Sequence, residues 1–258
     1  MELKVALSAR RVLGWLLVAV VLLTLAGTAV QVAKYAFGYR EGWTRLFNLD
    51  REYNLPSLFS TGLLGGCALL LRAIGQRAAA LGDRWAPSWR LLGGIFTFLA
   101  LDEWFSIHEI LILPDLAKWA GLPGFLKQIW VIPAAIAVGW GAWRFWPFWR
   151  QLPPKLRGRS LLAGCLYVSG ALLMEMVGGA YSADQGQQNL TYALLTVVEE
   201  VAEMLGTTLF LWALLVHLGS WSGKFSLVLD LGDRTLGDQN LGDRNLSDRR
   251  DPQDPQQP

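Results

Sequence analysis

Charged residues are confined to short segments of this chain, and the long stretches between them are apolar. Of the 258 residues, 53% are hydrophobic and 17% are charged, whereas a soluble protein carries about 25% charged residues. A helix needs about 20 apolar residues to cross about 30 Å of hydrocarbon. Several stretches reach that length, so the sequence predicts an all-α, polytopic transmembrane helical bundle embedded in a lipid bilayer.

The hydropathy pattern predicts six spans within a bundle of residues 1–221. They cover residues 12–33, 57–71, 91–113, 128–143, 160–183 and 190–218. The first span follows a basic segment but exceeds the apolar core of a signal peptide, which has about 7–15 residues. We therefore interpret it as a retained helix. Asn54 and Pro56 are typical of a helix N-terminus and open the second span.

Basic residues predict the orientation, because loops rich in Lys and Arg stay in the cytoplasm. Segments on one side of the six spans hold twelve of these residues, and segments on the other side hold six. Both termini are therefore expected in the cytoplasm. The basic loop at residues 144–159 is expected to contact anionic lipids on that side, and nothing in it requires a nucleic-acid partner.

The composition changes after about residue 222. A pentad of the form Leu-Gly-Asp-x-x recurs four times over residues 231–250, with Ser in place of Gly in the last unit. A pentapeptide solenoid has an apolar residue after the Asp or Asn, and here a charged or amide residue follows instead. Residues 222–258 are therefore expected to form a disordered polar tail.

Carboxylates inside the predicted spans are the strongest functional signal. A charge at the bilayer centre is costly, so such groups face the bundle interior and mark ion or substrate paths. No Lys or Arg lies within the spans as drawn. The acids are Asp102, Glu103 and Glu109 on the third span, Glu175 on the fifth, and Glu199, Glu200 and Glu203 on the sixth.

The acids are expected to share one layer. At about 1.5 Å per residue, Glu103 lies about 18 Å and Glu175 about 22 Å from the cytoplasmic side, and Glu203 lies about 20 Å below the outer surface. At about 100° per residue, Asp102 and Glu109 share a helix face. The predicted site for a cation or protons consists of Asp102, Glu109, Glu175, Glu199 and Glu203.

A metal ion would draw His108, Glu103 and Glu200 into this site. A set of one imidazole and several carboxylates suits Mg, Mn or Ca better than Zn, and such ligands can also bind Fe. Phe105, however, stands three residues before His108, where a di-iron bundle has Glu. A hydrogen bond between helices explains His108 equally well. The sequence therefore leaves open whether the site binds a divalent cation or no cofactor.

The predicted outer loop before the second span carries oxygen-bearing side chains at alternate positions from Asn48 to Asn54. Tyr53 and Phe59 replace the Gly and Glu of an EF-hand, which excludes that motif. We interpret the loop as an amphipathic interfacial segment that caps the second span, with a lid over the acids as the alternative. The glycine pairs at 65–66, 93–94 and 178–179 are interpreted as helix-packing positions, with a helix break at 178–179 as the alternative.

Three motifs together resemble a group of bacterial multi-pass inner-membrane proteins with no assigned activity. They are Asn48-Leu-Asp-x-Glu-x-Asn-Leu-Pro56, Asp102-Glu-x4-His-Glu109 and Glu199-Glu-x2-Glu-Met-Leu-Gly206. The resemblance covers roughly residues 35–215 and implies a location in the inner membrane of a bacterium. A more distant resemblance to metal-dependent membrane hydrolases carries no residues over, because the chain lacks their several histidines and their serine.

Three functions follow as hypotheses. The first is an integral membrane protein that binds a cation or protons in its carboxylate layer, for transport or ion coupling. The second is a metal-dependent membrane enzyme that acts on a lipid-like or quinone-like substrate. The third is a non-catalytic membrane scaffold whose acids are protonated. The sequence does not predict an oligomeric state.

Overall fold

A computed structural model describes residues 2–6, 8–40, 42–51, 53–111, 117, 119–222 and 226–230. In this part of the chain, six long helices follow one another. They are α1 (Ala9–Ala36), α2 (Leu55–Ala80), α3 (Ala86–Phe105), α4 (Val131–Gln151), α5 (Pro154–Gln185) and α6 (Leu190–Ser222). Short 3-10 helices lie at Gly42–Phe47, Ile107–Leu111 and Gly124–Leu126.

The helical bundle confirms the predicted all-α membrane fold. By length and composition, α1, α2, α5 and α6 are apolar enough to cross a membrane. Only 11% of the most apolar part of α1 is buried inside the protein. Its exposed side chains include Trp15, Leu22 and Leu25. Such a helix is stable at the edge of a bundle only where an apolar solvent covers it, as lipid does.

Helix α6 is the centre of the bundle and packs against α1, α2 and α5. One core joins α6 to α2, where Leu71 and Ile74 are fully buried beside Leu214. A second core joins α6 to α1 through Val197, Met204 and Val20. Helix α3 packs along α2.

The glycine pairs serve the close approach of helices. A Cβ on Gly66 would lie 2.9 Å from Cδ1 of Leu211, and one on Gly93 would lie 2.9 Å from Cγ of Arg72. A Cβ on Gly179 would lie 2.9 Å from the Gly124 carbonyl oxygen. The packing interpretation is therefore confirmed at one position of each pair. The alternative of a helix break at 178–179 is wrong, because both residues lie inside a regular helical stretch.

Helix α3 is shorter than the predicted third span, which runs to residue 113. It ends at Phe105 because Ser106 adopts the left-handed conformation, with φ 49° and ψ 45°. The backbone then continues as a 3-10 turn from Ile107 to Leu111. The prediction that Asp102 and Glu109 share one helix face is therefore wrong, since no single helix contains both residues.

Helix α5 departs from α-helical geometry just before its acid. Residues Ser169–Met174 form a π turn between α-helical stretches at Pro154–Val168 and Glu175–Gln185. A π turn holds more residues than an α turn, so it rotates the residues that follow it about the helix axis. Glu175 is the first residue after this turn, and its direction is therefore set by the π turn.

Two short strands pair separately from the bundle. Strand β1 (Glu2–Ala6) runs antiparallel to β2 (Ser226–Asp230), with Glu2 opposite Asp230 and Ala6 opposite Ser226. No strand is predicted from the sequence in either segment. The pentad repeat at residues 231–250 lies outside the described residues.

Candidate carboxylate site

The backbones of α5 and α6 approach each other closely at two glycines. A Cβ on Gly170 would lie 2.8 Å from both the Glu199 carbonyl oxygen and Cγ of Glu203. A Cβ on Gly206 would lie 2.6 Å from the backbone nitrogen of Tyr167. Any larger side chain would hold the helices apart at these points. The glycines therefore bring the acids of α6 directly against the π turn of α5.

Glu175 and Glu199 form a pair across this interface. Their carboxyl groups lie close enough for a hydrogen bond between them. A carboxylate accepts hydrogen bonds and cannot donate them, so this contact requires a proton on one of the two groups. Glu203 and Glu200 are the other charged groups that act on Glu199. The pair is thus surrounded by further acids on α6.

A second group of acids lies within electrostatic range of the Tyr167 hydroxyl on α5. Glu203 and Glu200 of α6 and Glu103 and Asp102 of α3 all act on it electrostatically. Tyr167 lies two residues before the π turn begins at Ser169, on the α5 face that meets α6 at Gly206. Tyr167 therefore links the acids of α3 to those of α6.

The loop before α2 reaches into the bundle. Asn48 is buried, and its side-chain oxygen accepts hydrogen bonds from Nε2 of Gln31 at 2.6 Å and from the backbone nitrogen of Asp50 at 3.0 Å. Leu49 is 3% exposed and packs with Val20 and residues of α6. The loop is therefore anchored in the α1–α6 interface.

The same loop caps α2, as the sequence predicts. The Asn54 side-chain oxygen accepts a hydrogen bond from the backbone nitrogen of Ser57 at 3.0 Å, and Pro56 occupies the first turn. Capping satisfies a backbone donor that has no partner inside the helix. The predicted cap of the second span is therefore confirmed.

The loop also comes close to the acids of α5 and α6. Asp50 acts electrostatically on the hydroxyl of Tyr192, as do Glu175 and Glu199. Asp50 pairs with Lys34 of α1 at 3.4 Å. A cation at the rim of an acid cluster lowers the energy of its negative charge. Asp50 of the loop and the Glu175–Glu199 pair thus act on the same tyrosine hydroxyl.

Asp102 and His108 hold the end of α3. One Asp102 carboxylate oxygen accepts a hydrogen bond from the backbone nitrogen of His108 at 2.8 Å, and the other lies 3.1 Å from its Nδ1. The imidazole also packs on the Trp130 ring at 5.0 Å between centroids. These contacts give Asp102 and His108 a structural role at the end of α3.

The structure brings together most of the predicted acids. Glu175, Glu199, Glu200 and Glu203 surround the α5–α6 contact, and Asp102 and Glu103 join through Tyr167. The side chain of Glu109, also a predicted member, is not among the described ones. Among the described residues, no three His, Cys, Asp or Glu side chains are grouped so that they could hold a metal ion. The metal set of His108, Glu103 and Glu200 therefore stays a prediction.

Sequence reasoning missed two tyrosines. Tyr167 and Tyr192 place hydroxyls among the acids, and Gln187 donates a hydrogen bond to the Tyr192 hydroxyl at 3.2 Å. A hydroxyl inside an apolar span needs a polar partner, because lipid offers none. Each tyrosine lies on a span that also carries acids, and this sequence feature could have identified it.

Comparison with known families adds one match. A family model described as Domain of unknown function (DUF8692) matches residues 10–218. The chain belongs to this family. The match covers all six helices almost completely and leaves out the segments that contain β1 and β2. It confirms the predicted membership of a family without an assigned activity. A search of curated proteins and a search of solved structures each find no match.

Proposed function

We propose that this protein binds protons in an intramembrane carboxylate site and passes them across part of the membrane, in transport or ion coupling. The close approach of the Glu175 and Glu199 carboxyl groups carries the proposal. A proton must lie between two such groups for them to bond. The pair therefore is a proton-binding site that needs no cofactor.

The arrangement of acids supports a path rather than a single site. Asp50 of the loop, Glu175 of α5 and Glu199 of α6 gather around Tyr192. The acids of α3 and the remaining acids of α6 gather around Tyr167. Glu199 is in electrostatic contact with Glu203, a member of the second group. Chains of acids and hydroxyls are the usual proton relays of membrane proteins.

The contacts of the loop support its proposed role as an outer lid. It lies against Tyr192 through Asp50 and against α3 through Tyr53, whose ring makes an edge contact with Trp104 at 6.0 Å. The predicted orientation puts this loop on the outer side. Protons would then reach the pair from outside by passing Asp50, and the acids of α3 would carry them inward.

Proton flux into vesicles tests the proposal. The full chain is reconstituted in lipid vesicles that contain a pH-sensitive dye, and a potassium diffusion potential drives proton entry. Flux above that of protein-free vesicles is expected for the unaltered protein. Glu199→Gln is expected to reduce flux to the protein-free rate, because an amide cannot release a proton. Asp184→Asn is the matched control, since Asp184 is an exposed acid near the end of the same helix as Glu175.

The outcomes separate the three hypotheses. Flux that is unchanged in Glu199→Gln contradicts the proposal. Stoichiometric bound Mn, Fe or Zn that disappears in Glu203→Gln or His108→Ala would favour the metal-dependent enzyme. A protein without flux or metal, whose cellular phenotype is unchanged when its membrane acids become amides, would be a scaffold.

A further inference from the structure

A cavity of about 470 Å³ lies where the α2–α3 turn meets the C-terminal end of α4. Ligand pockets commonly have volumes of about 300–1,000 Å³. Both charged residues of its lining are arginines, so the cavity is positive. It is lined by Arg84, Trp85, Trp146, Pro147, Arg150 and Gln151.

The two walls of the cavity are fixed to each other by Phe148. This α4 side chain is only 2% exposed. Its ring lies 5.8 Å from the Trp85 ring and 4.8 Å from the Trp89 ring, in an edge contact with the latter. Aromatic pairs of this geometry stabilise packing beyond the area they bury. The cavity is therefore held open by a packed core.

The two arginines of the lining are suited to bind an anion. The Arg84 guanidinium lies 5.0 Å from the centre of the Trp85 ring. Stacking occupies the face of a guanidinium and leaves its N–H groups at the edge for an acceptor. Two other arginines of this region contact other rings, since Arg157 lies over Trp149 and Arg144 over Phe145.

The surroundings of the cavity favour a lipid over a soluble anion. Trp146 is 55% exposed and Trp143, one turn earlier on α4, is 74% exposed. Exposed tryptophans are enriched at the level of lipid headgroups. The predicted orientation places this end of α4 on the cytoplasmic side, where anionic lipids concentrate. The arginine fork matches phosphate geometry in two parallel hydrogen bonds.

We infer that this cavity binds the phosphate headgroup of an anionic phospholipid, held by Arg84 and Arg150. Trp85 and Trp146 flank the glycerol region, and the exposed face of α4 accommodates an acyl chain. This proposal assigns the predicted contact of residues 144–159 with anionic lipids to Arg150 of α4 and adds Arg84 of the α2–α3 turn. The site is independent of the proposed proton path.

Lipid retention in native mass spectrometry tests the inference. The full chain in detergent is incubated with equal amounts of phosphatidylglycerol and phosphatidylcholine. The unaltered protein is expected to retain phosphatidylglycerol preferentially. Arg84→Gln combined with Arg150→Gln is expected to lower that retention about tenfold, since a hydrogen bond between charged groups contributes about a decade or more in affinity. Both side chains are exposed, so the fold should tolerate the change.

Arg144→Gln combined with Arg77→Gln is the matched control, because it removes the same two charges from exposed positions outside the cavity. It is expected to change retention less than about twofold. Equal losses in the control and in the cavity variants would overturn the inference, because they would show general charge attraction only. Displacement of the lipid by equimolar inorganic phosphate would also overturn it, since the site would then be one for free phosphate.

Discussion

Gly206→Ala tests the contact on which the carboxylate site depends. The added Cβ would lie 2.6 Å from the Tyr167 backbone nitrogen and 2.8 Å from the Ala163 carbonyl oxygen, where ordinary contacts begin at 3.4 Å. The shortfall is about 0.8 Å, and both opposing atoms belong to the backbone, so helix α5 must move away as a whole. Such overpacking costs about 1–3 kcal/mol, and the better helix propensity of Ala returns about 0.5–1 kcal/mol.

A net loss of about 1–2 kcal/mol in the free energy of unfolding is therefore expected. Unfolding in mixed detergent micelles, followed by circular dichroism, measures it. Gly164→Ala on α5 is the control, because a Cβ there meets nothing within 4 Å. It should stabilise the protein by about 0.5 kcal/mol or more through helix propensity alone. Equal stabilities of the two variants would refute the close approach of α5 and α6.

Two further substitutions test local structure by the same unfolding measurement. Asn48→Ala removes the hydrogen-bond acceptor of the buried Gln31 side chain and is expected to cost about 1–3 kcal/mol; a smaller loss would contradict the anchored loop. Ser106→Gly relieves a left-handed backbone, with φ 49°, and is expected to raise the thermal midpoint. Ser169→Gly is the control, at a right-handed helical position with φ −69°, and should lower the thermal midpoint. A lower midpoint for both variants would contradict backbone strain at Ser106.

The helices could be predicted from the sequence because the bilayer constrains them strongly. Apolar length gives the positions of α1, α5 and α6 to within a few residues on most ends. The cap formed by Asn54 was also predictable, since it follows from local geometry. The end of α3 was not, because Ser106 is not a residue type that usually adopts a left-handed conformation.

The contact between acids of α5 and α6 was predictable, and its geometry was not. Counting residues places Glu175 and Glu199 at similar heights, and the structure brings them into contact. The π turn that directs Glu175 has no sequence signal of its own. It lies where Gly170 meets the α6 backbone, and this close contact depends on the tertiary packing of two helices.

The inward course of the loop before α2 also could not be predicted from periodicity. An alternating polar loop is typical of a surface segment, yet Leu49 and Asn48 are buried. Their burial depends on Gln31 as a hydrogen-bond partner and on space beside Gly27, where a Cβ would lie 2.5 Å from Cδ1 of Leu49. These partners lie about twenty residues earlier in the chain.

Infrared spectroscopy of the purified full chain at neutral pH tests most directly whether Glu175 and Glu199 share a proton. Protonated carboxyl groups absorb apart from ionised carboxylates and shift in heavy water. A proton shared by this pair predicts a protonated carboxyl band that is lost in Glu199→Gln and retained in Asp184→Asn. A spectrum with ionised carboxylates alone, or a band unchanged in Glu199→Gln, would contradict it.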